Sequence, residues 1–292
     1  MITRWGRYIS GSYPPLPSVL FAGAWAYGVA GLFATVQPAD NPWRPDTRTA
    51  LTAATLFITL LLTRAADDIR DVEYDRRLNP SRPLPRGDVS TRDLMGLCAA
   101  GSALALLLNI NSQAALPILA AQHGYCLLVL AVHALWRWPS GDKLILSLLV
   151  SSPAQLLLHL YIYVTYLGSM SLKPHSQALT ALVVVTLASA HLELAKKITR
   201  DPRPAERSYV HTFGFTTSVV MALAAPAISA AVLLIQARMS LALIPMSVLP
   251  LVIPAAAAWL LRRKESPRWP PLAPPLYLVA ALTSYLILGL EA

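Results

Sequence analysis

The sequence from Leu51 to Asp75 reads LTAATLFITLLLTRAADDIRDVEYD, so an apolar stretch runs directly into five acidic residues within nine positions. If the helix predicted for the apolar stretch continues through these acids, Asp67, Asp71 and Asp75 fall at i, i+4 and i+8 on one face, with Asp68 beside them. Clustered carboxylates repel one another and raise one another's proton affinity unless cations hold them together. The pattern therefore predicts a metal site, and ligands that are all oxygen suit Mg2+.

The composition of the whole chain indicates an integral membrane protein. Hydrophobic residues make up 55% of the chain and charged residues 13%, and the mean hydropathy is +0.51, whereas a soluble protein is about one-quarter charged. Apolar runs near 20 residues long predict membrane-spanning helices, because lipid offers backbone groups no partner outside the helix. Nine such runs lie at about 15–36, 49–66, 92–110, 114–136, 143–167, 175–198, 212–237, 240–262 and 271–289. The expected fold is an all-α integral membrane bundle of nine helices, forming one domain over residues 1–292, with a cytoplasmic cap of polar loops after spans two and six.

The basic residues predict the orientation of the chain in the membrane. Twenty Lys and Arg residues lie before the first span or in the loops after spans two, four, six and eight, and four lie in the other loops. Positive residues concentrate on the cytoplasmic side, so the N-terminus and the acidic stretch are expected to face the cytoplasm. The net charge of +9 follows from this topology, so no nucleic-acid partner is expected.

The acidic residues are as unevenly placed as the basic ones. Of fifteen Asp and Glu residues, seven lie between Asp67 and Asp93, and Glu193, Asp201 and Glu206 lie around the end of the sixth apolar run. None lies in the middle of a run, where a transporter driven by protons or sodium usually carries an ionisable group. A lipid or ion transporter is therefore only a remote alternative.

Both acidic clusters follow even-numbered spans, so they share one membrane face in the predicted topology, and both are interleaved with Lys and Arg. Carboxylates that hold Mg2+ beside such cations are what recognition of a diphosphate requires. The apolar helices around the site could hold the hydrocarbon tail of an amphiphile that lies in membrane lipid. Together these features predict a prenyl diphosphate as the substrate.

The motif Asp67-Asp68-x-x-Asp71-x-x-x-Asp75, followed by the turn NPSRPLPRG from Asn79 to Gly87, resembles the first motif of the UbiA-type intramembrane prenyltransferase superfamily. In that superfamily an (N/D)DxxDxxxD stretch leads into a turn rich in Pro and Arg. The nine predicted helices and the second polar loop after the sixth helix extend the resemblance over nearly the whole chain. The resemblance implies Mg2+-dependent ionisation of an isoprenyl diphosphate inside a helical bundle that is open to the lipid.

The second polar segment departs from the pattern of the superfamily. Many members carry a DxxxD-type motif there, whereas this chain reads ELAKKITRDP from Glu193 to Pro202 and resembles a bacterial branch with an E-x-x-(R/K)-K-I pattern. Glu193 and Asp201 are eight residues apart and could share a helical face as ligands of a second metal, unless Pro202 ends the helix too early. Lys196 and Lys197 could instead replace the charge of one metal. The bacterial inner membrane is the expected location.

The resemblance and the charges together define the predicted site. Asp67, Asp68, Asp71 and Asp75 are the expected catalytic metal ligands. Arg64, Arg82, Lys196, Lys197 and Arg200 are the expected diphosphate ligands. For Arg64, structural pairing with Asp67 or Asp68 and diphosphate binding are both open. His191 is the best placed of the membrane histidines for a base, since Glu193 is close, although a lone histidine is more often an interior residue.

Two fates are open to the allylic cation. Transfer to an aromatic, quinone-precursor or other hydrophobic acceptor is the common outcome in the superfamily. Cyclisation to a terpene is the alternative, and it gains weight because Asp67-Asp68-x-x-Asp71 is also a DDxxD, the metal motif of soluble terpene synthases. The sequence leaves the prenyl chain length, the acceptor and the oligomeric state undetermined.

Overall fold

The computed structural model of the chain describes residues 2–37, 39–236, 241–263 and 266–292. These residues are mainly helical, and the extended pairing among them is one isolated antiparallel bridge between Thr199 and Arg268. The α-helices, in chain order, are α1 Ile2–Ser12, α2 Pro15–Val36, α3 Thr47–Arg70, α4 Val72–Leu78, α5 Pro83–Arg86, α6 Thr91–Leu108, α7 Ala115–Trp136, α8 Leu144–Met170, α9 Ala178–Ala195, α10 Tyr209–Phe213, α11 Phe215–Gln236, α12 Ile244–Val248, α13 Val252–Arg262 and α14 Ala273–Glu291.

Nine helical stretches of the described residues are long and apolar enough to cross a membrane. They are α2, α3, α6, α7, α8, α9, α11, the stretch Leu241–Arg262 and α14. This arrangement confirms the predicted all-α integral membrane fold, including the separation of spans three and four, since α6 ends at Leu108 and α7 begins at Ala115. The predicted span ends at residues 237 and 240 lie outside the described residues.

Prolines shape the last two spans. The stretch Leu241–Arg262 contains the 3-10 turns Leu241–Leu243 and Leu249–Leu251 alongside α12 and α13. Pro245 and Pro250 each lie in the first turn of such a segment, where the missing N–H of proline costs no helical hydrogen bond. For the same reason α14 tolerates a proline in its first turn, after its N-cap residue Leu272.

The chain divides into two compact units. The first comprises Met1–Ala26 and Thr47–Thr165, and the second comprises Tyr27–Asp46 and Tyr166–Ala292. In the first unit α3 packs against α6, and the two helices approach closely because residue 101 is glycine. A Cβ atom at Gly101 would lie 2.6 Å from Leu62 Cδ2.

The second unit packs α9 against α11 and against α14. Here α2 and α14 also approach each other closely, and a Cβ atom built on Gly31 would lie 2.5 Å from the carbonyl oxygen of Tyr285. Small residues at such crossings let helix backbones approach within a membrane. The prediction of a single domain over residues 1–292 stays a prediction.

Candidate active site

The acidic motif lies where α3 ends and α4 begins, both in the first unit. Asp71 separates the two helices, with φ −97° and ψ 12°. The helical hydrogen-bond ladder nevertheless continues, because the N–H of Asp71 donates to the carbonyl of Asp67 and the N–H of Asp75 donates to the carbonyl of Asp71, both at 2.9 Å. Asp71 is thus one distorted residue in a backbone that is otherwise helical from α3 into α4.

The distortion accompanies a division of the four acids into an inner pair and an outer pair. The inner pair is Asp68 and Asp75, which are 3% and 1% exposed. Arg82 Nη1 lies 2.5 Å from Asp75 Oδ2 and 3.8 Å from Asp68 Oδ1, so one guanidinium bridges both carboxylates. Asn79 Nδ2 donates to the other oxygen of Asp75 at 2.7 Å. A buried charge needs such partners, since removing it from water is costly.

Asp68 has two further partners. Arg64 Nη2 lies 3.0 Å from Asp68 Oδ1, one helical turn earlier on α3. The hydroxyl of Tyr8 donates to Asp68 Oδ2 at 2.9 Å. Burial, together with the nearby Asp68 carboxylate, raises the pKa of Tyr8, so the hydroxyl stays a proton donor at neutral pH. Two roles were open for Arg64, and these contacts correspond to structural pairing with Asp68.

The outer pair is Asp67 and Asp71, whose side chains are 46% and 21% exposed. Arg70 Nη2 lies 3.0 Å from Asp67 Oδ1 and 3.4 Å from Asp71 Oδ2, so it bridges this pair as Arg82 bridges the inner one. The sequence predicted that Asp67, Asp71 and Asp75 share one helical face. The ion pairs instead join Asp67 with Asp71 and Asp68 with Asp75. Among the described residues no three His, Cys, Asp or Glu side chains are close enough together to hold a metal ion.

The turn after α4 places Arg82 beside the inner pair. Arg82 is the N-cap of the short helix α5, with Pro83 in the first turn and Gly87 as the C-cap in the left-handed region at φ 88°. That backbone conformation favours glycine. Arg86 forms an ion pair with Asp88 just beyond the turn, and its hydrogen bonds lower the pKa of the Asp88 carboxyl.

The second polar segment, in the second unit, is not a continuation of a helix. Helix α9 ends at Ala195, and the chain then pairs with a distant strand-like segment. Arg200 N–H donates to the Pro267 carbonyl at 2.8 Å, and Trp269 N–H donates to the Ile198 carbonyl at 2.9 Å. The prediction that Glu193 and Asp201 could share a helical face is therefore wrong, because this pairing ends the helix before Pro202 is reached.

The lysines of this segment have different surroundings. Lys196 forms an ion pair with Glu193, and both side chains are partly exposed. The ammonium of Lys197 lies 5.5 Å from the centre of the Tyr209 ring, and Ser208 Oγ donates to the Lys197 carbonyl at 2.8 Å. Burial raises the pKa of Tyr209 to about 12, with a smaller contribution from Glu193. Lys197 thus lies against an aromatic ring.

Arg200 has a structural role that its sequence position does not reveal. Its Nη2 donates to the carbonyls of Leu261 and Arg262, at the C-terminal end of α13, where carbonyls have no partner inside the helix. The guanidinium carbon also lies 4.7 Å from the centre of the Phe215 ring. A cation at this end of a helix is stabilising, so Arg200 ties α13 to the segment that follows α9.

His191 is fully buried in the second unit. Its Nδ1 lies 2.7 Å from the carbonyl of Ala222, and the rings of Trp269 and Tyr277 meet the imidazole edge-on, with centroids at 5.7 and 4.9 Å. Its Nε2 is buried and has no hydrogen-bond partner among the residues that the structure describes. These contacts make His191 a packing residue on α9.

A cavity of about 680 Å³ opens in the second unit. Its lining includes Thr35, Gln37, Asn41, Trp43, Gln177 and Glu291. Gln177 precedes the first residue of α9 and Glu193 lies in its last turn, so about 24 Å of helix separates the cavity from the second polar segment. The cavity is therefore distinct from the polar segment that carries Lys196 and Lys197.

Comparisons with known proteins identify the family. No curated protein matches the chain. A solved structure from work on the biosynthesis of digeranylgeranylglyceryl phosphate synthase in membranes aligns with 95% of this chain and 99% of its own, at 16% identity and a TM-score of 0.47. The model of the UbiA prenyltransferase family matches residues 16–279, which is most of the chain and includes both polar segments. The protein therefore belongs to the UbiA prenyltransferase family.

Proposed function

We propose that this protein is a Mg2+-dependent intramembrane enzyme that ionises an isoprenyl diphosphate and transfers the prenyl group to a hydrophobic acceptor. Membership of the UbiA prenyltransferase family supports prenyl transfer within the membrane. The observation that carries the finer proposal is the junction of α3 and α4, where four carboxylates lie in two pairs, each bridged by an arginine, at the end of a membrane-spanning helix.

The donor atoms of the junction fit Mg2+. All four side chains offer carboxylate oxygens, and Mg2+ prefers a few carboxylates together with the phosphates of a substrate. The outer pair, Asp67 and Asp71, is the more exposed and would hold the ion first. Asp68 and Asp75 offer the same atoms from the inner side. When bound, Mg2+ would neutralise the charge of the departing diphosphate.

The arginines have a role of their own in this proposal. Arg64 and Arg82 are each about one-third exposed while contacting buried carboxylates. A guanidinium has five N–H donors, so each arginine can keep its carboxylate and still bind phosphate oxygens. Charge-assisted hydrogen bonds of this kind are about twice as strong as neutral ones. The inner pair would thus hold the two arginines in position for the diphosphate.

In the second unit we propose that Lys196 and Lys197 bind phosphate oxygens. Both are cations that directly follow α9. Where a second DxxxD-type motif would bind a metal ion, the positive charge in this chain would come from the two ammonium groups. Arg200 stays a weaker candidate, because its guanidinium contacts the end of α13. Glu193 and Asp201 would serve a second cation only as separate ligands, since they share no helical face.

Cyclisation of the prenyl group is the second candidate function. The observation that favours it is the DDxxD formed by Asp67, Asp68 and Asp71, which resembles the metal motif of soluble terpene synthases. For either function we propose that the N-terminus and both polar segments face the cytoplasm of a bacterial inner membrane, as the bias of basic residues indicates.

The test is an assay on protein purified in detergent, with Mg2+ and with geranyl, farnesyl or geranylgeranyl diphosphate but no acceptor. Gas chromatography of the products separates the two functions. Cyclic hydrocarbons or alcohols would favour cyclisation. Intact diphosphate that is consumed once aromatic or quinone-precursor acceptors are added would favour transfer. If neither assay shows turnover of any allylic diphosphate, the proposed function is wrong.

A further inference from the structure

The N-terminal helix α1 is docked on the acidic motif. Its buried and half-buried side chains include Trp5, Tyr8 and Ile9, at the i, i+3, i+4 spacing of one helical face. They pack into a cluster of buried residues from α3, the turn around α5 and α6, namely Leu61, Ala65, Leu84, Val89, Leu94 and Leu97. Thr3, Arg4, Arg7 and Ser10 of α1 are exposed, so the helix lies with its apolar face on the motif.

Contacts at both ends of α1 fix the docking, polar ones near its start and close packing near its end. Near its start, Arg4 Nη1 lies 3.1 Å from Asp93 Oδ2 and Trp5 Nε1 donates to the Asp93 carbonyl at 2.8 Å. Near its end, a Cβ atom at Gly11 would lie 2.8 Å from Pro83 Cγ. The helix therefore contacts the turn that follows Arg82 directly.

The two oxygens of the Asp68 carboxylate have different partners. Oδ2 accepts from Tyr8 at 2.9 Å, while Oδ1 faces Arg64 at 3.0 Å and Arg82 at 3.8 Å. A carboxylate group held at one oxygen cannot rotate freely about its last bond, so the other oxygen stays turned toward the arginines. Such supporting partners commonly contribute 10- to 100-fold to the affinity or activity of the groups that they orient.

We propose that Tyr8 is a positioning residue of the acidic site, which fixes Asp68 and, through Asp68, the two arginines that meet a diphosphate. This inference rests on the proposed function for the identity of the substrate, and on the contacts of α1 for everything else. It makes the N-terminal helix part of the site, although no residue before Arg64 belongs to either motif.

The test measures anion binding separately from turnover. Full-length protein is titrated with inorganic pyrophosphate in the presence of Mg2+ by isothermal calorimetry, for the wild type and for Tyr8→Phe. Phenylalanine keeps the ring in the buried cluster and removes only the hydroxyl. The matched control is Tyr13→Phe, since the Tyr13 hydroxyl donates to the Phe57 carbonyl at 3.0 Å and touches no acid of the motif.

Tyr8→Phe is expected to weaken pyrophosphate binding about tenfold, and to raise KM for the prenyl diphosphate by a similar factor with a smaller change in kcat. Tyr13→Phe is expected to bind as the wild type does. A second variant, Arg4→Gln, loosens α1 through an exposed residue and should give a smaller loss in the same direction. If Tyr8→Phe does not fold, the comparison is made with Arg4→Gln instead.

Unchanged pyrophosphate affinity in folded Tyr8→Phe, or in Arg4→Gln where Tyr8→Phe does not fold, would overturn the positioning role. Equal losses in Tyr8→Phe and Tyr13→Phe would also overturn it, because the effect would then be one of general stability. The wild type could turn over no allylic diphosphate while Tyr8→Phe still binds pyrophosphate more weakly than the wild type does. That outcome would overturn the proposed function and support the positioning role.

Discussion

At the scale of single residues, the motif owes its arrangement to arginines that each serve two acids. Arg82 bridges Asp68 and Asp75 inside the first unit, and Arg70 bridges Asp67 and Asp71 nearer the surface. Pairing of this kind offsets the repulsion among four carboxylates within nine residues. It also means that the four acids are unequal, since Asp68 and Asp75 are buried and Asp67 and Asp71 are partly exposed.

Removing a proposed metal ligand should abolish most turnover. Asp68→Ala and Asp71→Ala are each expected to lower kcat/KM for the prenyl diphosphate by more than about a hundredfold, which corresponds to roughly 3 kcal/mol of transition-state stabilisation. Steady-state kinetics in saturating Mg2+ measure this. The control is Glu73→Gln, an exposed acid of the same stretch that pairs with Arg137 and should keep nearly full activity. Half the wild-type rate in either alanine variant would refute the assigned site.

Removing the inner arginine should destabilise the protein. In Arg82→Met, Asp75 keeps Asn79 but loses its charged partner while remaining 1% exposed. A buried acceptor left without its charged donor costs about 1–3 kcal/mol. The midpoint of thermal unfolding in detergent should therefore fall, while Arg77→Met, which changes an exposed arginine on α4, should leave it unchanged. A wild-type midpoint for Arg82→Met would show that Arg82 does not neutralise the inner pair.

The sequence predicted the acids of this motif but not their division. The division accompanies one distorted residue, Asp71, whose backbone angles no periodicity could reveal. Tyr8 escaped prediction for another reason. It lies 60 residues before Asp68, and the one sign in the sequence was the spacing of Trp5, Tyr8 and Ile9 on an amphipathic segment.

At the scale of helices, the end of α9 decides what the second polar segment can do. The spans themselves were predictable because lipid forces apolar length and helical backbone together. The end of α9 was not, since residues 198–200 pair with residues 267–269, far along the chain. That pairing converts a predicted helical face into an extended connection and commits Arg200 to the end of α13.

Arg200→Gln should therefore act on stability more than on substrate binding. Glutamine cannot supply the cation at the C-terminal end of α13, where such a charge contributes about 0.3–1 kcal/mol, and it loses the contact with Phe215. The unfolding midpoint should fall while KM stays within about twofold of the wild type. A tenfold rise in KM with an unchanged midpoint would instead assign Arg200 to the diphosphate.

Replacing either lysine should affect substrate binding more than stability, which is the opposite of what we expect for Arg200→Gln. We expect Lys196→Gln and Lys197→Gln to raise KM for the prenyl diphosphate while leaving the requirement for Mg2+ in place, and one of the two should dominate because their surroundings differ. Kinetics with varied diphosphate and Mg2+ measure this. Lys197→Asp should not restore activity, since the fixed cation is lost. Unchanged kinetics in both glutamine variants would leave the lysines facing lipid headgroups.

At the scale of the whole molecule, the orientation in the membrane is the prediction that most needs a direct test. Cys98 and Cys126 are free and lie inside spans, so serine replacements give a background without thiols. Single cysteines at the exposed positions Arg77, Arg203 and Lys173 then report their side. In bacterial spheroplasts an impermeant maleimide should label Lys173→Cys alone. Labelling of Arg77→Cys from outside would invert the topology.

The contacts of Tyr8 also bear on the order in which the protein is made. Among the described residues, the partners of the inner pair lie between Tyr8 and Arg82, and the anchor of α1 is Asp93. Synthesis proceeds from the N-terminus at about 5–20 residues per second, so α1 emerges seconds before the acid that it contacts. Because α6 supplies Asp93 and part of the cluster, we expect the apolar face of α1 to be fully covered only once the third span has entered the bilayer. Ribosome-arrested chains that include α6 should already allow Tyr8→Cys to cross-link with Asp68→Cys, and shorter chains should not.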